Sequence, residues 1–306
     1  MTTDRPALRI LVVATKLPYP PVDGGRLLLW NTATALAERG HELTLVAPHH
    51  EVPLRDELPP FRLVHTVPIE ETSLLRASAT ALATGRPISI IRHSNPFMHH
   101  AVEQLLRNWE FDLVHVEQIH ALPHIPRERI TIPVVMRCQN AESELWSMLA
   151  AVRPRLRWLA GWQARQMQAF EARSVRSANL ALALTRHDQI VLSRLSGLSE
   201  DSLPVVPAPF PSRLEPRGSE LSGSPPVLLL DSQWVPNRDG TDWFLDQIWP
   251  DIRRRLPARW YTCSATGPAR HRRRASPSTP HHRTAVTCSP RTVSWPSPCA
   301  SPPACA

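Results

Sequence analysis

Between residues 258 and 306 the sequence contains no Leu, Ile, Met, Phe, Lys, Asp, Glu, Asn or Gln. A stretch of 49 residues without these side chains has too little apolar surface to offset the entropy of ordering the chain. The segment instead holds seven Arg, eight Pro and four of the five Cys, and this composition predicts a disordered tail. Other scarcities run through the whole chain. Lys16 is the only lysine among 35 Lys and Arg side chains, and Pro outnumbers Gly 33 to 10. Such usage suggests a GC-rich, bacterial coding sequence. GC-rich DNA read out of frame yields mainly Arg, Pro, Ser, Thr, Ala, His, Cys and Trp, so a frameshift near Pro257 accounts for the tail. A natural low-complexity tail is the alternative.

The charge balance excludes another class. The net charge is +8, but the tail carries seven Arg and no acid, so the first 257 residues carry only +1. The basic isoelectric point near 10.2 belongs to the tail. With no basic stripe interleaved with aromatics in the body, nucleic acid is not an expected partner. The body has one cysteine, Cys138, set in an apolar strand and read as a small buried hydrophobe. There is no disulfide framework, which fits a reducing compartment. Cys263, Cys288, Cys299 and Cys305 lack C-x-x-C spacing, so no metal is expected. No run approaches the ~18 apolar residues of a spanning helix, and the N-terminus leads into a strand rather than a signal segment. The expected location is cytoplasmic, at most peripheral at the inner face of the cell membrane.

What is present is a regular alternation of strands and helices. Leu8-Arg-Ile-Leu-Val-Val-Ala14 reads as a parallel strand buried on both faces. A loop over 16–25 leads into a helix of about 14 residues that ends near Gly40. Strands follow at 41–47, 61–67, 111–117, 132–138 and 180–184. Helices are expected at 96–109, over 141–178 with a break near Pro154, and at 185–195 with Thr185 as N-cap. Repeated βα units imply a Rossmann-like, doubly wound α/β parallel sheet over residues 1–206. Residues 207–257 comprise a Pro-, Ser- and Gly-rich linker, a new strand at 226–231 and a helix at 237–256. They read as the start of a second Rossmann-like domain that the tail at 258–306 leaves incomplete.

In open parallel sheets ligands bind beyond the carboxyl ends of the strands. The loop after the first strand ends in Gly24 and Gly25, followed by Arg26, at a helix N-terminus that can receive an anion or a hydroxyl-rich ligand. It is neither a G-x-G-x-x-G fingerprint nor a P-loop, and plain turn geometry is the alternative. After the fourth strand stand Glu117 and His120, types suited to general-base work. His115 and Glu117 project to one side of that strand, with His115 read as a core residue and Glu117 alternatively as a helix cap. Asn140 and Glu142 sit at the turn after the fifth strand, either lining the cleft or capping the next helix. Residues 145–178 mix Trp146, Trp158 and Trp162 with Arg153, Arg155, Arg157 and Arg165. That pattern suits either contact with an anionic membrane or packing with a solvated Arg face.

Several of these segments carry a resemblance. Pro18-Tyr-Pro-Pro-Val-Asp-Gly-Gly25, Ala35-Leu-Ala-Glu-Arg-Gly-His-Glu-Leu-Thr-Leu-Val-Ala47, Asp112-Leu-Val-His-Val-Glu117 and Gln139-Asn-Ala-Glu-Ser-Glu-Leu-Trp146 resemble the N-terminal domain of family 4 glycosyltransferases of the GT-B fold. The last of these segments resembles a turn in the family's sugar transferases linked to exopolysaccharide and sorting systems. Trp234-Val-Pro-Asn-Arg-Asp-Gly-Thr-Asp-Trp-Phe244 resembles the opening of their donor domain. The resemblance implies an acceptor-binding N-terminal domain, a nucleotide sugar as donor substrate, a glycan or lipid-linked acceptor, and chemistry without a metal or other cofactor. It maps the donor-phosphate and acceptor loop onto Gly24, Gly25 and Arg26. It maps the catalytic neighbourhood onto Glu117 and His120, with Glu117 standing where many relatives carry His, and a further cleft loop onto Asn140 and Glu142.

The chain also departs from the family. The donor-side E-x7-E element has no counterpart, and the V-P-N-G linker becomes Val206-Pro-Ala-Pro-Phe210. These departures predict a hexosyltransferase by descent that is inactive as written. The other readings are a non-catalytic Rossmann-like binding or interaction module and a nucleotide-binding enzyme of another Rossmann class. Translating the coding DNA beyond Pro257 in the two other frames is expected to restore a β-strand followed by a Gly-rich loop. Failure of both frames to do so refutes the frameshift.

Overall fold

The computed structural model describes residues 6–50, 58–70, 72–210, 228–230, 235–255 and 263–265. Two compact units divide the chain at residue 214.

The first unit is built on six parallel strands: β1 (Arg9–Ala14), β2 (Glu42–His49), β3 (Leu63–Pro68), β4 (Leu113–Glu117), β5 (Val134–Cys138) and β6 (Leu180–Ala183), in the order β3-β2-β1-β4-β5-β6. This is the doubly wound, Rossmann-like α/β sheet that the alternation of elements implies, with its topological switch between β1 and β4. The strands lie within two residues of their expected positions because each is an apolar run covered on both faces. Five consecutive residues of β1, Ile10 to Ala14, are buried. Cys138 is buried in the core, as its apolar surroundings suggested.

The helices are α1 (Gly24–Ala37), α2 (Leu74–Thr84), α3 (Ile88–Arg92), α4 (Pro96–Asn108), α5 (Glu142–Val152), α6 (Arg157–Ser177) and α7 (Arg186–Ser196). Thr185 caps α7 as expected, accepting a hydrogen bond from Asp188 N. Pro154 divides the long helical region at a short 3-10 turn, Pro154–Leu156. Two helices went unread in the sequence, α2 and α3. Their Leu- and Ala-rich segment buries only Ala77, Ala81, Ile88, Ile90 and Ile91, too short and small-faced a stripe to stand out as a helical period.

Packing beyond the carboxyl edge of the sheet is set by the α5–α6 hairpin. Glu171, in the middle of α6, accepts a hydrogen bond from Ser143 N at the start of α5 (3.3 Å). The adjacent Ala141 N donates to Asp188 of α7 (2.9 Å). The α5 N-terminus is thus capped by side-chain oxygens from two other helices, which satisfy backbone N–H groups that the helix itself cannot. Higher on α6, Gln163 accepts a hydrogen bond from Ile88 N (2.8 Å), and Trp162 packs on the small core of α2 and α3.

In the second unit β7 (Leu228–Leu230) falls inside the expected 226–231 strand. The expected helix at 237–256 appears as α8 (Val235–Trp243), a π turn and α9 (Trp249–Arg255). One expectation requires correction: a three-residue strand, β8 (Cys263–Ala265), lies within the segment read as tail and pairs in parallel with β7. Thr262-Cys-Ser-Ala-Thr266 is a short β-compatible island that a composition average over the segment conceals. The remainder of the 258–306 tail and most of the 207–226 linker lie outside the described residues.

Glu171 supplies a test of the hairpin. Burial, only partly offset by hydrogen bonds from Ser143, raises its carboxyl to about 7. A folded-state value above the usual 4.5 contributes stability that is complete below pH ~4.5 and lost as pH rises through ~7. Glu171→Gln removes this titration. The variant is expected to gain stability over the parent between pH 5 and pH 8, by up to about 3 kcal/mol, measured by urea unfolding at each pH.

Candidate functional site

The carboxyl ends of β4 and β5 hold a buried ion pair. Glu117 and Arg137 are register partners on adjacent strands, so their side chains leave the same face. Both are almost fully buried, at 3% and 1% exposure. Arg137 Nε lies 3.1 Å from each carboxylate oxygen, and Nη2 also donates to the carboxylate. His115 Nε2 lies 3.0 Å from the same carboxylate, and Gln139 Nε2 donates to it at 2.7 Å. Arg137 Nη1 also reaches Thr32 on α1, at 2.5 Å.

From this pair the network runs outward. Gln139 Oε1 accepts from Gln118 Nε2 (2.6 Å), and Gln118 Oε1 accepts from Thr15 (3.0 Å) at the end of β1. Gln118 holds a φ of +70°, a conformation that costs a non-glycine residue about 1–3 kcal/mol. A Cβ on Gly25 would sit 3.1 Å from Gln139 Oε1, a tight contact that the Gln139 side chain would have to relieve, so glycine eases the close approach of α1 to this network. Gly24 meets open space instead. Asp23 caps α1 by accepting from Arg26 N (2.9 Å) and lies 3.4 Å from Lys16 Nζ.

Two cavities adjoin these residues. A recess of about 10 Å³ is lined by Thr15, Gly25, Arg26, Glu117, Gln118 and Gln139. A larger cleft, about 630 Å³, opens beyond β1, β2 and β3 and is lined by Lys16, Arg26, His49, His50, Arg92 and His93, among others. Its acidic wall residue is Glu70. His93 Nδ1 lies 2.8 Å from the Ser89 carbonyl. A carbonyl accepts only, so Nδ1 carries the proton and Nε2 is left as an acceptor. Burial lowers the His93 pKa, favouring the neutral base.

The sequence-derived site residues fare unequally. Gly25, Arg26 and Glu117 come together around the recess. Glu117 does not suit the general-base role expected of it. Burial alone would raise its carboxyl, but Arg137 and then His115 outweigh this and hold it at about 2. A carboxylate fixed by an arginine, a histidine and a glutamine has neither the basicity nor the freedom to take a proton. His120 is also a poor base. It is 7% exposed, burial lowers its pKa to about 3, and its ring packs on His93 (centroids 4.6 Å) rather than lining the cleft. Asn140 and Glu142 line neither cavity. Asn140 Nδ2 donates to Glu142 (3.4 Å), and their turn is drawn toward α6 and α7 by the bonds at Ser143 and Ala141.

The residues missed were Lys16, Arg92, His93, Gln118 and Gln139. Lys16 had a visible signal, since it is the chain's only lysine and follows a strand end. Arg92 and His93 had none, because the helix that carries them was not legible. Among the described residues no group of three His, Cys, Asp or Glu side chains forms a metal-binding cluster.

A family model described as a glycosyl transferase 4-like domain matches residues 24–214. No curated protein matches the sequence. Solved structures with similarity include sucrose-phosphate synthase from Thermosynechococcus elongatus. It is 13% identical, with 65% of this chain and 48% of that one covered and a TM-score of 0.44. A calicheamicin glycosyltransferase is 14% identical, with 73% and 58% covered and a TM-score of 0.42. A glycosyltransferase from Rickettsia africae is 12% identical, with 85% and 69% covered and a TM-score of 0.41. The chain spans about half the length of the first of these.

Removing the charge of Glu117 separates an anchor from a base. Glu117→Gln leaves Arg137 buried without its counter-ion, and a loss of about 3–5 kcal/mol of stability is expected, read by thermal or urea unfolding. A change below about 1 kcal/mol contradicts the anchoring role.

Proposed function

The chain belongs to the glycosyl transferase 4-like family, and on that premise we propose that its first unit holds the acceptor of a sugar transfer. The donor is a nucleotide sugar and the acceptor a glycan or a lipid-linked saccharide. The observation that carries this reading is the 630 Å³ cleft at the carboxyl edge of the sheet, where a doubly wound fold places its ligands. The lining supplies hydrogen-bonding groups for ligand hydroxyls at Lys16, Arg26, Arg92 and His93. His93 Nε2 is the proton acceptor for the attacking hydroxyl, its tautomer set by the Ser89 carbonyl. Arg26, at the α1 N-terminus beside Gly25, offers positive charge toward the donor phosphates. Glu117 positions this loop through Gln139 and Gln118.

This exact chain is expected to transfer sugar poorly or not at all. Residues 258–306 contain no Asp or Glu, so they cannot provide the acidic donor-side element the family resemblance calls for. Positioning of both substrates can lower the barrier of such a transfer by about 7–11 kcal/mol. A chimera joining residues 1–206 to the donor domain of an active family member is expected to restore transfer. In it, His93→Gln should lower turnover by about 10²–10⁴. Full turnover in that variant excludes His93 as the base. Titration calorimetry of the unaltered chain with UDP and GDP is expected to show no binding tighter than about 1 mM, a free energy near 4 kcal/mol. A micromolar Kd overturns the loss of the donor site.

A further inference from the structure

One exposed feature stands apart from the cleft. The end of the α5–α6 hairpin reads Val152-Arg-Pro-Arg-Leu-Arg-Trp158, with an Arg at every second position. Its apolar members are turned to solvent: Val152 is 58% exposed, Leu156 45% and Trp158 76%, with Met148 one turn earlier at 56%. Among the described residues none of Arg153, Arg155 and Arg157 pairs with a carboxylate. From Leu145 to Phe170 there is no Asp or Glu, so this end of the hairpin carries positive charge without internal compensation.

The position of the feature follows from the hairpin's own contacts. The bond from Ser143 N to Glu171 ties the base of α5 to the middle of α6, next to the carboxyl end of β5. From there α5 runs 11 residues, which at 1.5 Å per residue puts the tip about 16 Å of helix away from the sheet edge. That is the edge on which the cleft opens. Helices α2 and α3 pack against the same upper part of α6 through Gln163 and Trp162. They add exposed Leu75 (85%) and Leu82 (72%), one helical stripe opposite the buried Ala77 and Ala81. Residues 72–102 also lack any acid, while holding Arg76, Arg86 and Arg92.

We propose that the α5–α6 tip, residues 148–158, docks on an anionic lipid bilayer. Alternating Arg with Val, Leu and Trp suits a surface whose outer layer is negative and whose interior is apolar. The guanidinium groups reach lipid phosphates while their stems and the Trp ring enter the interface. An isolated protein groove would match a continuous apolar stripe instead. Neither signal suffices alone, since one apolar anchor binds reversibly and three charges are screened by salt, but the combination gives stable peripheral binding. Docking here would set the cleft beside the membrane, which deepens the acceptor reading toward lipid-linked saccharides. The docking itself is independent of transfer, and its test does not involve turnover.

The full chain is sedimented with phosphatidylcholine vesicles and with vesicles containing phosphatidylglycerol, at about 0.1 M and about 1 M salt, which span Debye lengths of ~10 to ~3 Å. Binding is expected only to the anionic vesicles and only at the lower salt. Replacing Arg153, Arg155 and Arg157 together by Ser should weaken it roughly 100-fold. The triple Arg→Lys variant should retain it, because a bilayer reads charge whereas a protein pocket reads guanidinium geometry. Trp158→Ser should weaken it several-fold with no change in thermal midpoint. Absence of binding at low salt overturns the proposal. So does binding that survives the triple Ser substitution, which would assign it to the Arg-rich segment 258–306.

Discussion

The ion pair between Glu117 and Arg137 is the constraint on which the sheet edge depends. Two charges with almost no solvent access cost several kcal/mol each to desolvate, and their attraction compensates only when the remaining donors and acceptors are satisfied. Here they are: His115 and Gln139 complete the carboxylate, and Thr32 takes part of the guanidinium. The pair therefore ties β4, β5 and α1 into one rigid corner. Gln139 and Gln118 extend it to Thr15 at the end of β1, across the topological switch. The close approach of Gly25 follows from this corner, and so does the position of Arg26 at the mouth of the cleft.

That arrangement divides the chemistry of the edge into two layers. Beneath, Glu117 and Arg137 are satisfied by one another and by their buried neighbours. Above, Arg92 and His93 face an open cleft together with Lys16 and Arg26, which share the one carboxylate of Asp23, so positive charge is in excess there for a ligand. The α5–α6 hairpin forms a third layer, rising beyond the edge from a base held by Glu171 and Asp188. Its buried face carries Ala160, Gln163, Ala164 and Met167, while its tip is left with Arg and apolar side chains in solvent. A protein can keep such a tip because the base is rigid and the tip itself contributes nothing to the core.

Much of the fold was legible because buried parallel strands are written as short apolar runs, and each of the six was placed within two residues. Thr185 at the α7 N-cap and the break at Pro154 were legible for similarly local reasons. The site was less so. Glu117 stood at the correct strand end, but its neighbour across the sheet, Arg137, lies 20 residues away. Only the register of β4 and β5 shows that the carboxylate is already occupied. His120 drew notice as a titratable group near a strand end, although its ring is buried against His93. Asn140 and Glu142 sat at a strand-to-helix turn as expected, yet that turn is folded toward α7 rather than into the cleft.

The sequence by itself determined the strand and helix alternation, the glycine-bearing loop before α1, the family, and the compositional break after Pro257. These depend on side-chain pattern within a few residues, which the chain carries locally. Tertiary structure decided which charges are spent on one another and which remain for a ligand. It decided that Arg92 and His93 join Lys16 and Arg26 in one cleft, and that the Arg-rich turn stands clear of the sheet edge. Those outcomes depend on cross-strand register and on packing between segments distant in sequence, and so does the pKa of a buried group, since it is set by neighbours that only the folded chain brings within a few ångströms.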